Sequence, residues 1–381
     1  MGVALLRTIL RVSAVVGLVL ALSDPAVAST PSTALTASRA GHPATLPSWR
    51  FVHTATSNTL IAVDVVDRST VWAAGGGFQG AVGGAVVRTV DGGRSWRDVT
   101  PPGGAVDAFR DVEALDRSHA LVLALSDEAA GVPARIYRTA DGGASWRQVF
   151  RAEDPHTFFG CMAFFDHRHG LAVGDAVGTR FPLLETVDGG RSWHPAPTAG
   201  LLDTFPGEGA LATGTCLVTK GRHDAWFGTT GVSGSGHNPQ VFHTRNGGRT
   251  WTVTGTPIPG TTGNIASLSF RSPENGLAVG GNANPSENID LGAVARTSDG
   301  GASWSPGGTP AGFRNGVSWI PDLKDTAITV GPDGSDITAD GGRTWSRFDR
   351  SLLLGINCAP HAGCWAVGAN GTAARLVIPR P

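Results

Sequence analysis

The 381-residue chain has one tyrosine, two methionines, four cysteines and no surplus of either charge, 30 Lys and Arg standing against 31 Asp and Glu. With a formal net charge of −1 it offers no basic field to draw in nucleic acid or an anionic membrane. The G-x-S-x-G elbow, H-E-x-x-H, the phosphate-binding P-loop and C-x-x-C do not occur, which disfavours the chemistries that carry a short fingerprint, and no cofactor or metal is expected. After Leu22 no apolar run approaches the roughly 20 residues that a membrane helix needs.

The N-terminus is different. Arg7 and Arg11 precede an apolar run, Val12 to Leu22, followed by Ala26-Val27-Ala28, the pattern of a secretory signal with cleavage after Ala28. Residues 1–28 are thus expected to be a signal peptide and the protein secreted or periplasmic. Residues 29–47, rich in Ser, Thr, Ala and Pro, are too poor in apolar side chains to pack and are expected to form a flexible leader.

What the chain has in quantity is glycine, 54 residues, and tryptophan, 11. Much of both belongs to one stretch written six times: Arg88 to Trp96 (RTVDGGRSW), then Arg138 to Trp146, Glu185 to Trp193, His243 to Trp251, Arg296 to Trp304 and Ile337 to Trp345. Asp91, Asp141, Asp188, Asn246, Asp299 and Asp340, each followed by Gly-Gly, are turn chemistry: the Asx side chain bonds nearby backbone and glycine supplies positive φ. Each stretch therefore reads as a hairpin tip. The tryptophan after each, Trp96, Trp146, Trp193, Trp251, Trp304 and Trp345, opens the return strand as an apolar wedge against a neighbouring repeat.

A second element keeps the same period. Short apolar strands end in Gly or a small residue at VWAAG (71–75), ALVLAL (120–125), LAVG (171–174), WFG (226–228), LAVG (277–280), ITVG (328–331) and WAVG (365–368), seven in all. The tip positions lie 41 residues apart at the closest (Asp299 to Asp340) and 58 at the widest (Asp188 to Asn246), a spacing that suits four-stranded blades with loop insertions. Seven strands against six tips is resolved at the termini. The last repeat stops after Ile378 without a Trp strand, while Pro47-Ser48-Trp49-Arg50 supplies a Ser-Trp exit with no hairpin before it. The expectation is an all-β, seven-bladed β-propeller over residues 48–381, built of four-stranded antiparallel blades, the last completed by the N-terminal strand; closure removes the open edge.

The DGG(R/A)(S/T)W hairpins resemble the Asp-box, or BNR, repeats of sialidases and other propellers, and the full cycle of strand, small-residue strand, hairpin and loop resembles the photosystem II stability and assembly factor family. That resemblance implies a protein partner, with the Asp-box turns as fold elements away from the ligand face. On the repeat geometry, tips and one-to-two turns share one face, and two-to-three loops and blade connections share the other. Ligand contacts are sought there, in Asp175 to Leu184, Thr229 to Gln240, Gly281 to Leu291 and the connection Thr198 to Thr215. Near the axial mouth the candidates are Arg110, Asn264, Arg314 and Asn315, with His156 and Phe158 ahead of the third repeat; Arg beside aromatic residues suits a protein or anionic ligand. The competing reading is that these groups satisfy backbone around a narrow wet channel.

The enzymatic alternative is a glycosidase or sugar-binding propeller. Sialidases use a Tyr nucleophile; the one tyrosine, Tyr137, directly precedes the second Asp-box and is placed toward the tip face, which argues against that activity. Other glycosidases need two carboxyl groups roughly 5 to 9.5 Å apart, and Asp127, Glu128, Asp175, Glu208, Glu287 and Asp290 are the loop-face candidates. Asp166-His167-Arg168-His169, Asp116 to His119 and Arg222 to Asp224 fall at one-to-two turns and are read as polar turns rather than metal sites. No catalytic residue is assigned, and a monomer is expected. Cys358 and Cys364 flank a short turn and suit a hairpin-closing disulfide. Cys161 and Cys216 hold matching places in the third and fourth repeats; they either bridge neighbouring blades, if their Cα atoms come within roughly 7 Å, or remain buried thiols.

Overall fold

The computed structural model describes residues 46–379 apart from 77–82, 105–106, 126–130, 179, 202–207, 211–213, 232–236, 260–262 and 283–290. The expected signal segment and nearly all of the leader lie outside the described residues, as do Asp127, Glu128, Glu287 and Asp290.

Seven four-stranded antiparallel sheets account for the described chain, with one short 3-10 turn and no α-helix among the described residues. The N-terminal strand is β1 (Ser48–His53). Blade 1 is β2 (Leu60–Val65), β3 (Val71–Gly76), β4 (Gly84–Thr89) and β5 (Arg97–Asp98); blade 2 is β6 (Phe109–Ala114), β7 (Ala120–Ala124), β8 (Arg135–Thr139) and β9 (Arg147–Arg151). Blade 3 is β10 (Phe159–Phe164), β11 (Gly170–Gly174), β12 (Leu183–Thr186) and β13 (His194–Pro195); blade 4 is β14 (Leu217–Lys220), β15 (Asp224–Gly228), β16 (Gln240–Thr244) and β17 (Thr252–Gly255). Blade 5 is β18 (Gly263–Phe270), β19 (Gly276–Asn282), β20 (Leu291–Thr297) and β21 (Ser305–Pro306); blade 6 is β22 (Gly316–Trp319), β23 (Ala327–Gly331), β24 (Gly334–Thr338) and β25 (Ser346–Asp349). Blade 7 holds β26 (Leu353–Ala359), β27 (Gly363–Gly368) and β28 (Thr372–Val377), and its outer strand is β1, paired to β28 with Trp49 opposite Leu376. The innermost strands touch in sequence around the ring, and β26 against β2 closes it.

The core lies between blades. The second strands β3, β7, β11 and β23 are buried at every residue, because each is covered on both faces by neighbouring blades. The apolar clusters follow suit, one joining Trp72 and Val86 of blade 1 to Phe109 and Val122 of blade 2, another Ile328 and Val330 of blade 6 to Leu353 and Ala366 of blade 7. Each tip tryptophan wedges toward the preceding blade: Trp146 meets Trp72 edge-on at 6.2 Å, and Trp96 of blade 1 meets Trp365 of blade 7 at 5.8 Å.

The six tips share one bonding scheme. At the first, the Thr89 hydroxyl donates to Asp91 Oδ1 at 2.9 Å and accepts from Gly93 N at 2.9 Å, while Ser95 N donates to Asp91 Oδ1 at 2.9 Å and Ser95 Oγ to Oδ2 at 2.6 Å. Gly93 has φ +83, and a Cβ there would lie 2.3 Å from the Trp365 ring, so the second glycine serves both turn conformation and close approach to the preceding blade. At the fourth tip an amide replaces the carboxylate: Asn246 Nδ2 donates to Thr250 Oγ1 at 2.8 Å where aspartate would accept. Negative charge is therefore not required of the turn.

Candidate functional site

The inner strands carry the residues nearest the axis. In β2, β6, β10, β18 and β26 the pairing to the second strand skips one residue at the same height, Ile61, Arg110, Gly160, Ala266 and Leu354 respectively. Such a bulge re-aims the residue it leaves unpaired. Arg110 occupies it in blade 2, and burial lowers its pKa to about 10. Asn315 has the same place in blade 6, just before the Gly316–Val330 pair, with its N–H on the Val330 carbonyl at 2.8 Å.

Arg314 is one residue away and differently placed. Its side chain is 0% exposed, with Nε donating to Asp336 Oδ2 at 2.7 Å and Nη1 to the Phe313 carbonyl at 2.8 Å and Asp333 Oδ1 at 2.5 Å. The expectation that Arg314 meets a ligand at the mouth is corrected: its guanidinium is held inside blade 6 by two carboxylates and a carbonyl. Asn264, in β18, faces Thr230 of blade 4 through a backbone bridge. His156 is exposed, with Nδ1 2.7 Å from Asp154 Oδ1, and the half-buried Phe158 lends its carbonyl to Asp175 N at 3.1 Å. The six candidates thus sit in or beside blades 2, 3, 5 and 6, with Arg110 and Asn315 at equivalent axial places and Arg314 turned into its blade.

The chain itself lies across the axial mouth. A Cβ on Gly214, in the connection that enters blade 4, would stand 3.1 Å from Ala62 Cβ of blade 1 and 3.2 Å from the Arg110 carbonyl of blade 2. Upstream, Ala210 N donates to Asp175 Oδ1 at 2.8 Å, Gly209 N to Thr230 Oγ1 at 2.9 Å, and the Thr229 hydroxyl to Glu208, which is 3% exposed. Asp175 and Glu208, expected as loop-face carboxylates, both anchor this crossing.

Tyr137 also departs from expectation. Its hydroxyl bonds Asp107, in the connection from blade 1 to blade 2, so it points to the loop face and not to the tips. Burial and the neighbouring Asp107 raise the phenol to about 12, and Arg135 pairs with that carboxylate. A phenol so hard to ionise suits structure better than nucleophilic attack.

Sequence reading missed a set of axial acids. Each inner strand presents an edge whose free N–H groups need partners, and side chains of the preceding blade supply many of them. Asp64 Oδ2 accepts from Ala114 N at 2.7 Å, Asp111 Oδ2 from Met162 N at 2.7 Å, Ser267 Oγ from Val317 N at 3.0 Å, Ser318 Oγ from Cys358 N at 3.1 Å, and Asn357 Oδ1 from Val65 N at 3.2 Å. The signal was an aspartate inside a short, largely buried inner strand, as in LIAVDV and FRDVEA.

These acids govern the pH response. Burial pushes Asp64 up to about 6, and burial with mutual repulsion raises Asp111 and Glu113 well above the usual range. The folded chain therefore holds protons that the unfolded chain releases above roughly pH 4, and stability falls as pH rises through about 4 to 6 and beyond. The tip acids act oppositely: serine hydroxyl and backbone bonds lower Asp91, Asp141 and Asp299 to about 2, a contribution lost only as pH falls from about 4 toward 2. Thermal unfolding should show a higher Tm at pH 5 than at pH 7.5. Asp64→Asn, which keeps an acceptor for Ala114 N, should raise Tm at pH 7.5 and flatten that slope; a wild-type Tm that climbs between pH 5 and 7.5 would refute the assignment.

The structure joins Cys358 to Cys364 across β26 and β27, Cα atoms 4.0 Å apart, and Cys161 to Cys216 between blades 3 and 4, Cα atoms 6.0 Å apart. The polar one-to-two turns are Asx turns, Asp166 Oδ1 accepting from Arg168 N at 2.7 Å and His169 N at 2.9 Å.

No protein-family model and no curated protein matches the chain. Solved structures do. A structure of YCF48 bound to D1 peptide superposes with a TM-score of 0.59 at 16% identity, over 87% of this chain and 97% of that one. YCF48 from Cyanidioschyzon merolae gives 0.60 at 16% identity, over 86% and 98%. The GH74 xyloglucanase from Xanthomonas campestris gives 0.58 at 13% identity, over 86% of this chain and 53% of the enzyme. At these identities the likeness shows the fold alone, and the strand pairing of this chain makes that fold a seven-bladed β-propeller closed by its N-terminal strand.

Proposed function

We propose that the chain is an exported binding module that docks a protein partner of the cell envelope on the loop face, in the manner of an assembly factor. The observation that carries this reading is the use of the described loop-face carboxylates: Asp175 and Glu208 are engaged in holding the chain across the mouth, so neither is set to serve as acid or base. The same face presents His156, the half-buried Phe158 and Arg110, side chains suited to a protein contact. The fold shared with a YCF48 structure bound to a D1 peptide supports the reading, since that propeller takes a polypeptide ligand.

Quantitative capture from an envelope fraction tests it, comparing wild type with Phe158→Ser and His156→Glu. A partner enriched by the wild type should fall roughly tenfold with either substitution, the scale of one contact worth about 1.4 kcal/mol. Equal enrichment by all three would refute the surface. Turnover of a chromogenic glycoside that is lost in Asp175→Asn would replace the binding reading with the glycosidase one.

A further inference from the structure

On the tip face, between blades 5 and 6, a cavity of about 460 Å³ is lined by Arg271, Arg296, Lys324 and Arg343, with Asp325 and the mostly buried Trp319. The one-to-two turns of the two blades supply Arg271, Lys324 and Asp325, and their tips supply Arg296 and Arg343. Arg271 is neutralised: its Nη1 lies 2.5 Å from Asp325 Oδ1 and its guanidinium sits over the Trp319 ring, 5.1 Å from the centroid. The other three have no carboxylate within ion-pair distance among the described residues; Arg343 Nη1 donates to the Asp340 carbonyl at 2.8 Å and Arg296 Nε to the Pro306 carbonyl at 3.4 Å. Hydroxyls complete the lining, with Ser298, Ser303 and Ser305 on the blade 5 side.

Gathering three unneutralised cations around one cavity costs the empty fold. Arg296 feels this, its pKa lowered by burial and by Arg343, with a smaller opposing pull from Asp340. Elsewhere the same positions serve the fold. Arg88 donates to the Gly142 carbonyl at 3.0 Å and to the Arg117 carbonyl, and the junction of blades 2 and 3, with Arg138, Arg147 and Arg191, leaves a hollow of only about 150 Å³.

We propose that the groove between blades 5 and 6 binds a tetrahedral oxyanion, a phosphate or sulfate group, held between Arg296, Arg343 and Lys324 with the Ser298 and Ser305 hydroxyls as further donors, the Ser303 hydroxyl being committed to Asp299. Guanidinium groups match such an anion in geometry as well as charge. The volume exceeds what a bare ion fills and falls within the range of small-molecule pockets, about 300 to 1,000 Å³. The favoured ligand is therefore a polar molecule bearing the group, such as a sugar phosphate. The site is independent of the loop-face partner.

Isothermal titration of the full chain with inorganic phosphate, glucose 6-phosphate and glucose, at matched ionic strength, tests this. One phosphate should bind per chain, glucose 6-phosphate more tightly, and glucose not at all. Arg343→Gln and Lys324→Gln, both on exposed turns, should each weaken binding at least tenfold, while Arg94→Gln and Arg249→Gln at other tips should leave it unchanged. Equal affinity for phosphate and glucose 6-phosphate would support the oxyanion contact and narrow the ligand to the free ion. No binding of either, or affinity unaltered in Arg343→Gln and Lys324→Gln, would overturn the site.

Discussion

Trp49→Ala should lower the unfolding temperature by on the order of 8 °C. Trp49 is 7% exposed in the outer strand of blade 7, yet its ring packs in the cluster of Ile328, Val330 and Ile337 of blade 6 and 5.8 Å from Phe348, and its Nε1 donates to Ser335 Oγ at 3.0 Å. Truncating a buried tryptophan costs about 3 to 5 kcal/mol, and each kcal/mol moves Tm by about 2 °C in a domain at the large end of the surveyed range. The effect exceeds that of an ordinary core position because β1, among the described residues, is the strand that joins the N-terminal segment to blade 7, six residues paired in register from Ser48 to His53. Loosening it reopens β28 as an edge and frees the ring to part between its first and last blades. Calorimetry of the variant, with Phe51→Ala as the exposed control on the same strand, checks this; a Tm within 2 °C of wild type would refute the closure.

Arg314→Leu should destabilise the fold by about 3 to 5 kcal/mol at neutral pH, the cost of leaving one member of a buried pair without its counter-charge. Asp336 is 1% exposed and takes Nε and Nη2 of Arg314 on one oxygen. Asp333, about half exposed, also bonds Arg347 at 2.9 Å and can return to water. The double variant Arg314→Leu/Asp336→Ala should recover most of the loss, since blades 1, 2, 3, 5 and 7 place Leu60, Phe109, Phe159, Ile265 and Leu353 at the corresponding height. Urea unfolding of the two single variants and the double forms the cycle. An Arg314→Leu variant within 1 kcal/mol of wild type would show that the pair does not carry blade 6.

Arg110 and Arg314 show where sequence reading stops. Both follow a phenylalanine in the same phrase, AFRDV and GFRNG, and look equivalent. Pairing to the second strand separates them: Phe109 is paired and Arg110 bulged, whereas in blade 6 the bulge position falls to Asn315 and Arg314 takes the place of Phe109. A shift of one residue turns a strand side chain to the other face, so one arginine meets the axis and the other the interior of a blade. Tyr137 was misplaced for a similar reason, its neighbour the second tip fixing the strand end but not the direction of the ring.

Local chemistry was legible from the residues. The Asx-Gly-Gly turns, the small-residue strands and the unpaired Ser-Trp at Trp49 set the blade number, the hairpin tips and the closure, because turn preference and repeat spacing are properties of short stretches. The tertiary structure alone decided the rest. The crossing of the mouth by Gly214, the stitching of inner strands by Asp64 and Asp111, and the meeting of Arg296 with Arg343 and Lys324 all depend on which blades face each other and at what height. Those distances are set by packing between residues tens to more than a hundred positions apart, and no pattern within one repeat encodes them.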